Sequence, residues 1–294
     1  MTALILGVSG QDGYYLAEQL LDAGQTVFGL VRRPRTWPLG VRLLHGDLLD
    51  QGSLERALRV ARPDVVYNLA AVTAPGGAWG TQQPPLLADV TALGPVRLLD
   101  AVLQVCPDAT VVHASSSAIY DPHRYGLYGI SKLFAHQAVQ GCRTRGLRCS
   151  NAVLYSHTSP RQDGRFLAPT ICATLARIRA GSPERLRLTD VLGRRDWGYA
   201  PDFTRALTLI GTTDRPGDYV VATGHRHTVR DFVDVALDAA ELDWSVVDID
   251  QGPVAPAEHP ADLTEVQALG WKSGTNFAAM VRLMVEAAWT SASP

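Results

Sequence analysis

The chain has 294 residues, 46% of them apolar and 19% charged, which is enough for one large core or two smaller ones. Its 27 Lys and Arg against 29 Asp and Glu leave a net charge of −2, which excludes a generally basic nucleic-acid protein or a polybasic membrane binder. No apolar run reaches the roughly 20 residues that span a bilayer, and the opening MTALILGVSG lacks a basic n-region and a cleavage site, so a cytoplasmic protein that starts on a strand is expected.

Taken in order, residues 2–7 read as a strand, 13–23 as a helix stopped by Gly24, and 26–31 as a second strand. A helix over 52–61 and a buried strand over 64–71 follow, then a helix over 93–105 and a strand over 109–116. The next helix covers 128–145 with Gly146 as its stop, and 147–155 reads as a strand. Such alternation predicts an α/β fold with a parallel sheet and helices on both faces. After residue 156 prolines interrupt the pattern, and helices are expected near 166–180, 202–211, 229–240 and 275–288. The expected organisation is a first domain over 1–155 and a smaller mixed region over 156–294, intertwined with it. Cys106, Cys142, Cys149 and Cys172 form no CxxC and no His pair stands at zinc spacing, so free thiols and no metal are expected.

The first strand runs into Gly7-Val8-Ser9-Gly10-Gln11-Asp12-Gly13, a GxxGxxG in strand–turn–helix context. Glycines let the backbone turn tightly and approach a pyrophosphate, and the helix N-terminus supplies N–H groups and a positive dipole. This predicts a Rossmann-type, doubly wound dinucleotide-binding sheet. An acidic residue after the second strand suits the ribose of NAD, but this chain has Arg32 and Arg33 there. Guanidinium groups suit a 2′-phosphate, so NADP is the expected cofactor. Asp47 is read either as an adenine contact or as a turn cap.

Residues 113–132 read HASSSAIYDPHRYGLYGISK. Tyr128 and Lys132 stand one helical turn apart on one face, and Lys132 is one of two lysines in the chain. A nearby ammonium favours tyrosinate, so the phenol can exchange a proton with an alcohol, with Ser116 bonding the same oxygen. Ser116, Tyr128 and Lys132 are therefore the expected catalytic residues.

The segments GVSGQDGYYLAEQLL, VRR, GDLLD, VYNLAA, ADVTALGPVRLLDA, YGISK, SPR, RRDWG, YVVATGHRHTVRDFV and LGW resemble the extended short-chain dehydrogenase/reductases. Within them the likeness is to the GDP-mannose 4,6-dehydratase group, to which GQDG and RRDWG are particular. The resemblance implies NADP-dependent oxidation at C4 of a nucleotide-linked sugar. It assigns the cofactor to Gly7, Ser9, Gly10, Gln11, Asp12, Gly13, Arg32, Arg33, Asp47, Leu48, Leu69, Ala70 and Ala71. It assigns the substrate to Ser117, Ser156 and Arg195, with Arg161 and Arg165 as replacement anchors for a diphosphate. It also implies a homodimer through the helices at 93–105 and 128–145.

The chain departs from that group where dehydratases carry Ser-Thr-Ser-Glu-Leu-Tyr. It reads Ser115-Ser116-Ser117-Ala118-Ile119-Tyr120. Ser116 substitutes for threonine, but the Ala118 methyl cannot accept the C5 proton that glutamate takes. The group's Asn-His-Glu-Ser-Pro is Ser156-His157-Thr158-Ser159-Pro160 here. The expected function is thus C4 redox chemistry on a nucleotide sugar, as epimerase or 4-ketoreductase, with a GDP-linked substrate favoured by the resemblance alone. The alternatives are a 4,6-dehydratase, a non-catalytic dinucleotide-binding sensor or partner subunit, and a dehydrogenase for a non-nucleotide alcohol.

Overall fold

The computed structural model describes residues 1–33, 40–72, 83–250 and 258–292. In chain order the elements are β1 (Thr2–Leu6), α1 (Gln11–Asp22), β2 (Thr26–Val31), β3 (Arg42–His45), α2 (Gln51–Ala61), β4 (Val65–Asn68), α3 (Pro84–Ala88), α4 (Gly94–Val105), β5 (Thr110–Ser116), α5 (Gly126–Thr144) and β6 (Cys149–Leu154). There follow β7 (His157–Thr158), α6 (Leu167–Arg179), β8 (Leu186–Leu188), β9 (Arg194–Asp196), β10 (Gly198–Tyr199), α7 (Ala200–Thr212), β11 (Asp218–Val221), β12 (Arg226–Thr228), α8 (Val229–Ala240), β13 (Val247–Ile249), α9 (Thr264–Ala268) and α10 (Phe277–Ala292). No described helix is long and apolar enough to cross a membrane.

A seven-stranded parallel sheet in the order β11-β6-β5-β4-β1-β2-β3 is the frame. The strand order reverses between β1 and β4, the switch point beside which open α/β sheets bind ligands at their strand C-termini. The strands are continuous apolar runs because helices cover both faces. Beneath α2 and α4, Leu4, Leu6, Val66 and Val111 pack with Leu54, Leu58, Leu98 and Val102 in one buried cluster. Local signals set the ends of α2: the Asp50 side chain accepts from the Ser53 N–H, and Arg62 closes the helix in the left-handed region. Both satisfy terminal backbone groups.

The chain forms two compact units. The first holds 1–154, 203–221 and 262–271, and the second holds 155–202, 222–261 and 272–294. The chain first passes between units at 154/155 and returns to the first unit twice. One return supplies β11, a seventh strand that the sequence reading did not place. In the second unit α6, α8 and α10 surround a core of Ile171, Leu175, Phe232, Val233, Ala236, Met280 and Val281. Thr228 and Asp231 form a reciprocal capping box at the start of α8.

Register puts four polar residues in one row of the first unit. Asn68 on β4 pairs His113 on β5, His113 pairs Asn151 on β6, and Asn151 pairs Asp218 on β11. Asp218 takes hydrogen bonds from Arg143 (2.6 Å), Asn151 (2.9 Å) and Gln140 (2.6 Å), so it ties β11 to β6 and to α5. Burial pushes its carboxyl up, but hydrogen bonds from His136, Arg143, Gln140 and Asn151 outweigh this and hold it well below the usual carboxylate range. A carboxyl held low stabilises the fold above its ordinary value of 3.8, and that contribution is lost as pH falls below it. Asp218→Asn is therefore expected to cost about 2 kcal/mol at neutral pH. The gap to the wild type should close as pH falls below 3.8. Urea denaturation at pH 7 and pH 3 measures both; an equal gap at the two pH values refutes the assignment.

Candidate active site

The loop after β1 turns at Gly7, whose φ is +82°, a left-handed conformation that favours glycine. A Cβ on Gly7 would lie 2.9 Å from the backbone of Leu69 and Ala70, and one on Gly13 would lie 2.3 Å from the Gly7 carbonyl oxygen. The space at both glycines is thus filled by backbone: strand, turn and helix cannot approach so closely with side chains present. Gly10 donates its N–H to the Gly7 carbonyl (2.9 Å) and opens α1 without a side-chain cap. Gly10 at the N-cap brings no side chain to the first turn, which fits a helix N-terminus that meets a diphosphate.

Beside this loop stands α5. Tyr128, Lys132, His136 and Gln140 recur at every fourth position and form one stripe down it. Lys132 is 5% exposed, and its Nζ donates to the Ala114 carbonyl at 2.7 Å. Burial lowers its pKa to about 8, and the charge of Asp12 pulls the other way. The ammonium lies 5.9 Å from the centroid of the Tyr128 ring. Burial raises the Tyr128 phenol above its ordinary value, the hydrogen bond with Ser116 opposes this, and the charges of Tyr125 and Asp12 add to the rise. Desolvation is the largest effect on the phenol, and it opposes the tyrosinate that a nearby ammonium favours.

The three serines have separate partners. Ser115 Oγ meets His136 Nδ1 at 3.0 Å. Ser116 Oγ accepts the Ala118 N–H at 3.2 Å and bonds the Tyr128 phenol. Ser117 opens the 3₁₀ turn Ser117–Tyr120. Ser115, His136 and Asp218 are the residue types of a hydrolytic triad, but Ser115 is buried and reaches no substrate. The Ala118 methyl is 2% exposed, immediately after the serines.

The family model described as GDP-mannose 4,6 dehydratase matches residues 4–284. GDP-mannose 4,6 dehydratase 1 of Arabidopsis thaliana is 36% identical, over 97% of this chain and 88% of that protein. The chain belongs to the GDP-mannose 4,6-dehydratase family. The GDP-mannose 4,6 dehydratase of Homo sapiens is 34% identical, over 79% of this chain and 70% of its own. The UDP-glucose 4-epimerase of Thermus thermophilus, solved in complex with NAD, superposes at a TM-score of 0.80. It is 26% identical, over 98% of this chain and 99% of that one. Such neighbours are extended short-chain dehydrogenase/reductases, and the sheet described above is their Rossmann-type sheet.

Within this family's fold, the remaining expected residues divide. Leu69 and Ala70 lie against Gly7, and Ala71 follows them. Ser9 is exposed and Gln11 half-buried, with Gln11 Nε2 donating to Asp12 Oδ1 (3.1 Å). Arg32 and Arg33 are exposed just beyond β2. Asp47 Oδ1 accepts the Leu49 N–H at 3.0 Å, which is the turn-cap geometry, and Leu48 is buried against Gly94. In the second unit, Ser156 Oγ donates to Glu258 Oε1 at 2.8 Å. Arg195 is half-buried on β9, and its charge acts on Glu258. Arg161 is exposed. Arg165 is committed to Asp163 through contacts of 2.7 to 3.2 Å, so a diphosphate would have to displace that pair.

The sequence reading missed one role and two groups. Asp12, expected at the cofactor, is also a counter-charge for Lys132, which its place in a phosphate motif hid. Glu258 is buried, and desolvation pushes its carboxyl up while the Asp196 N–H and Ser156 bond it; nothing in its local sequence marks it. His136 was legible, since a histidine continues the four-residue spacing of Tyr128 and Lys132.

Proposed function

We propose that the protein is an NADP-dependent enzyme that moves hydride at C4 of a nucleotide-linked hexose, GDP-linked by family membership, as an epimerase or 4-ketoreductase. The observation that carries this reading is the pairing of Ser116, Tyr128 and Lys132 beside the glycine loop with a buried methyl at Ala118. The first unit holds the dinucleotide, through the Gly7–Gly13 loop, Leu69–Ala71, Asp47 and Leu48. Ser117, Ser156, Arg161, Arg165 and Arg195 are the proposed contacts of the nucleotide sugar.

The dinucleotide, when bound, supplies the acceptor or donor of hydride. The chain's own part is proton transfer. Tyr128 gives its proton to the C4 oxygen of a ketone as hydride arrives at C4, or takes it from the C4 hydroxyl as hydride leaves. Ser116 Oγ holds the same oxygen, and Lys132 supplies positive charge near the phenolate. The neutral phenol favoured by burial suits the reductive direction. Elimination of water across C5 and C6 needs a base for the C5 proton, and Ala118 offers none. The dehydratase reading rests on the family itself. A sensor has no use for a hydrogen-bonded Tyr–Ser pair.

Cofactor and assembly belong to the same proposal. Arg32 and Arg33 support NADP over NAD. Leu93, Val96, Ile130 and Phe134 are each 37 to 47% exposed near or on the packed helices α4 and α5, and they support a homodimer through that face.

Four measurements test this. Incubated with GDP-mannose and NADP in deuterated water, the enzyme should make no 4-keto-6-deoxy sugar and put no deuterium at C5; efficient formation of that product refutes the C4 reading. In the same assays, and with GDP-4-keto sugars and NADPH, Tyr128→Phe should slow C4 chemistry by about 10²–10⁴-fold while dinucleotide binding stays. The pair Arg32→Ala and Arg33→Ala should weaken NADPH binding about tenfold or more and spare NADH; wild-type protein that binds both equally counts against NADP. Finally, sedimentation should show a dimer that Phe134→Glu with Ile130→Glu converts to monomer, and a monomeric wild type at micromolar concentration would sink the assembly.

A further inference from the structure

We propose that Thr91 is a positioning residue for the dinucleotide site: from a π turn its hydroxyl fixes the main chain at Val72, at the far end of the segment that crosses Gly7. This rests on the reading that the first unit holds a nicotinamide dinucleotide.

The turn has a local cause. Between α3 and α4, residues Asp89–Leu93 form a π turn, in which the Gly94 N–H bonds the Asp89 carbonyl five residues back. Such turns are rare inside helices and are frequent at functional sites. Pro95 follows. It has no N–H for the Thr91 carbonyl, and its ring would meet that carbonyl in a regular helix. Gly94 lets the helix lie on the loop after β3, since a Cβ there would come 3.0 Å from the Leu48 side chain.

The Thr91 hydroxyl does not serve its own helix. A helical threonine can turn its Oγ1 back to a carbonyl of the preceding turn. Thr91 instead reaches a residue 19 positions away. Its Oγ1 accepts the Val72 N–H at 3.1 Å and donates to the Val72 carbonyl at 3.4 Å. One side chain, 1% exposed, thus takes both main-chain polar groups of one residue.

Val72 stands at the far end of the run Leu69-Ala70-Ala71-Val72 after β4. At the near end, the Leu69 N–H bonds the Leu6 carbonyl of β1 at 3.0 Å. Between these anchors Leu69 and Ala70 cross Gly7, where a Cβ would come 2.9 Å from their main chain. A four-residue segment tied at both ends has little freedom left to lose, so ligand binding carries a smaller ordering cost. The same helix reaches the other proposed dinucleotide loop. Arg97 of α4 pairs with Asp89 at 2.7 Å and donates to the Leu48 carbonyl at 3.4 Å. A purely structural hydroxyl would add stability and leave the affinity of the folded protein unchanged.

Thr91→Val keeps the side-chain shape and removes the hydroxyl. Without ligand, amide exchange read by mass spectrometry should show the peptide that carries Val72 exchanging about tenfold faster than in the wild type. Titration calorimetry on folded protein should show NADPH (or NADH, if the wild type prefers it) bound about five- to tenfold more weakly. Thr91→Ser, which keeps the hydroxyl, should return both values toward the wild type. If the valine variant does not fold, Thr91→Cys takes its place, because a thiol is a weak hydrogen-bonding group of similar size to the serine hydroxyl. Asp218→Asn controls for general loosening: it should lower stability at the β11 edge and leave dinucleotide binding unchanged. A valine or cysteine variant that binds as the wild type does, or Asp218→Asn weakening binding equally, overturns this inference alone. Wild-type protein that binds neither NADPH nor NADH overturns the dinucleotide reading, and this inference with it.

Discussion

The burial of one ammonium group organises the first unit. Lys132 lies under α5 with its Nζ on the Ala114 carbonyl, and a cation in that position is tolerated only if polar groups surround it. On its buried face α5 carries Lys132 and His136 together with the apolar Ala135 and Val139. β4, β5, β6 and β11 carry the polar row Asn68, His113, Asn151 and Asp218 across the sheet. Asp12 reaches the site's electrostatics from the glycine loop. Because those elements are also the ones that place Ser116, Tyr128 and the loop, the lysine's solvation and the geometry of the proposed chemistry are one structural problem.

That coupling explains which parts were legible in the amino-acid order. GxxGxxG and YxxxK were, because each encodes contacts within a few residues: Gly13 packs on the backbone of Gly7 and Val8, and Tyr128 and Lys132 share a helix turn. Strand alternation sends Ser115 to His136 and leaves Ser116 for Tyr128. Contacts made across long stretches were not legible. β11 pairs β6 with Asp218 opposite Asn151, 67 residues apart, and its short DYVV reads equally as a loop-bounded apolar run. Glu258 meets Ser156 across 102 residues. Arg165 pairs with Asp163, two residues earlier, so its role as a diphosphate anchor requires exchange of that partner.

Family membership and site chemistry bear on different questions. The family follows from similarity over nearly the whole chain, most of which is sheet, helix and glycine loop. Those parts suit a dinucleotide and, on the proposed reading, a tyrosine that handles a hydroxyl, and one such frame can serve oxidation, epimerisation and dehydration alike. The step that separates these reactions depends on single groups. At Ala118 the relevant atom is a methyl carbon, buried in the turn that Ser116 caps. A methyl neither accepts a proton nor orders water, so on the proposed reading the ketone formed at C4 meets no base at this position.

The protonation of Tyr128 then bears on direction. Desolvation favours the phenol over the phenolate, and the ammonium that would oppose this has itself been brought down to about 8 by burial. Each group thus limits the charge of the other's surroundings: the burial that favours the proton on Tyr128 also lowers Lys132. On the proposed reading, a site that mainly reduces ketones gains from such burial, because it favours the proton donor before substrate arrives. A site that mainly oxidises alcohols needs extra positive charge to draw the proton off the phenol first. At Lys132 the charge of Asp12 opposes burial, so that carboxylate favours the ammonium that such a step needs.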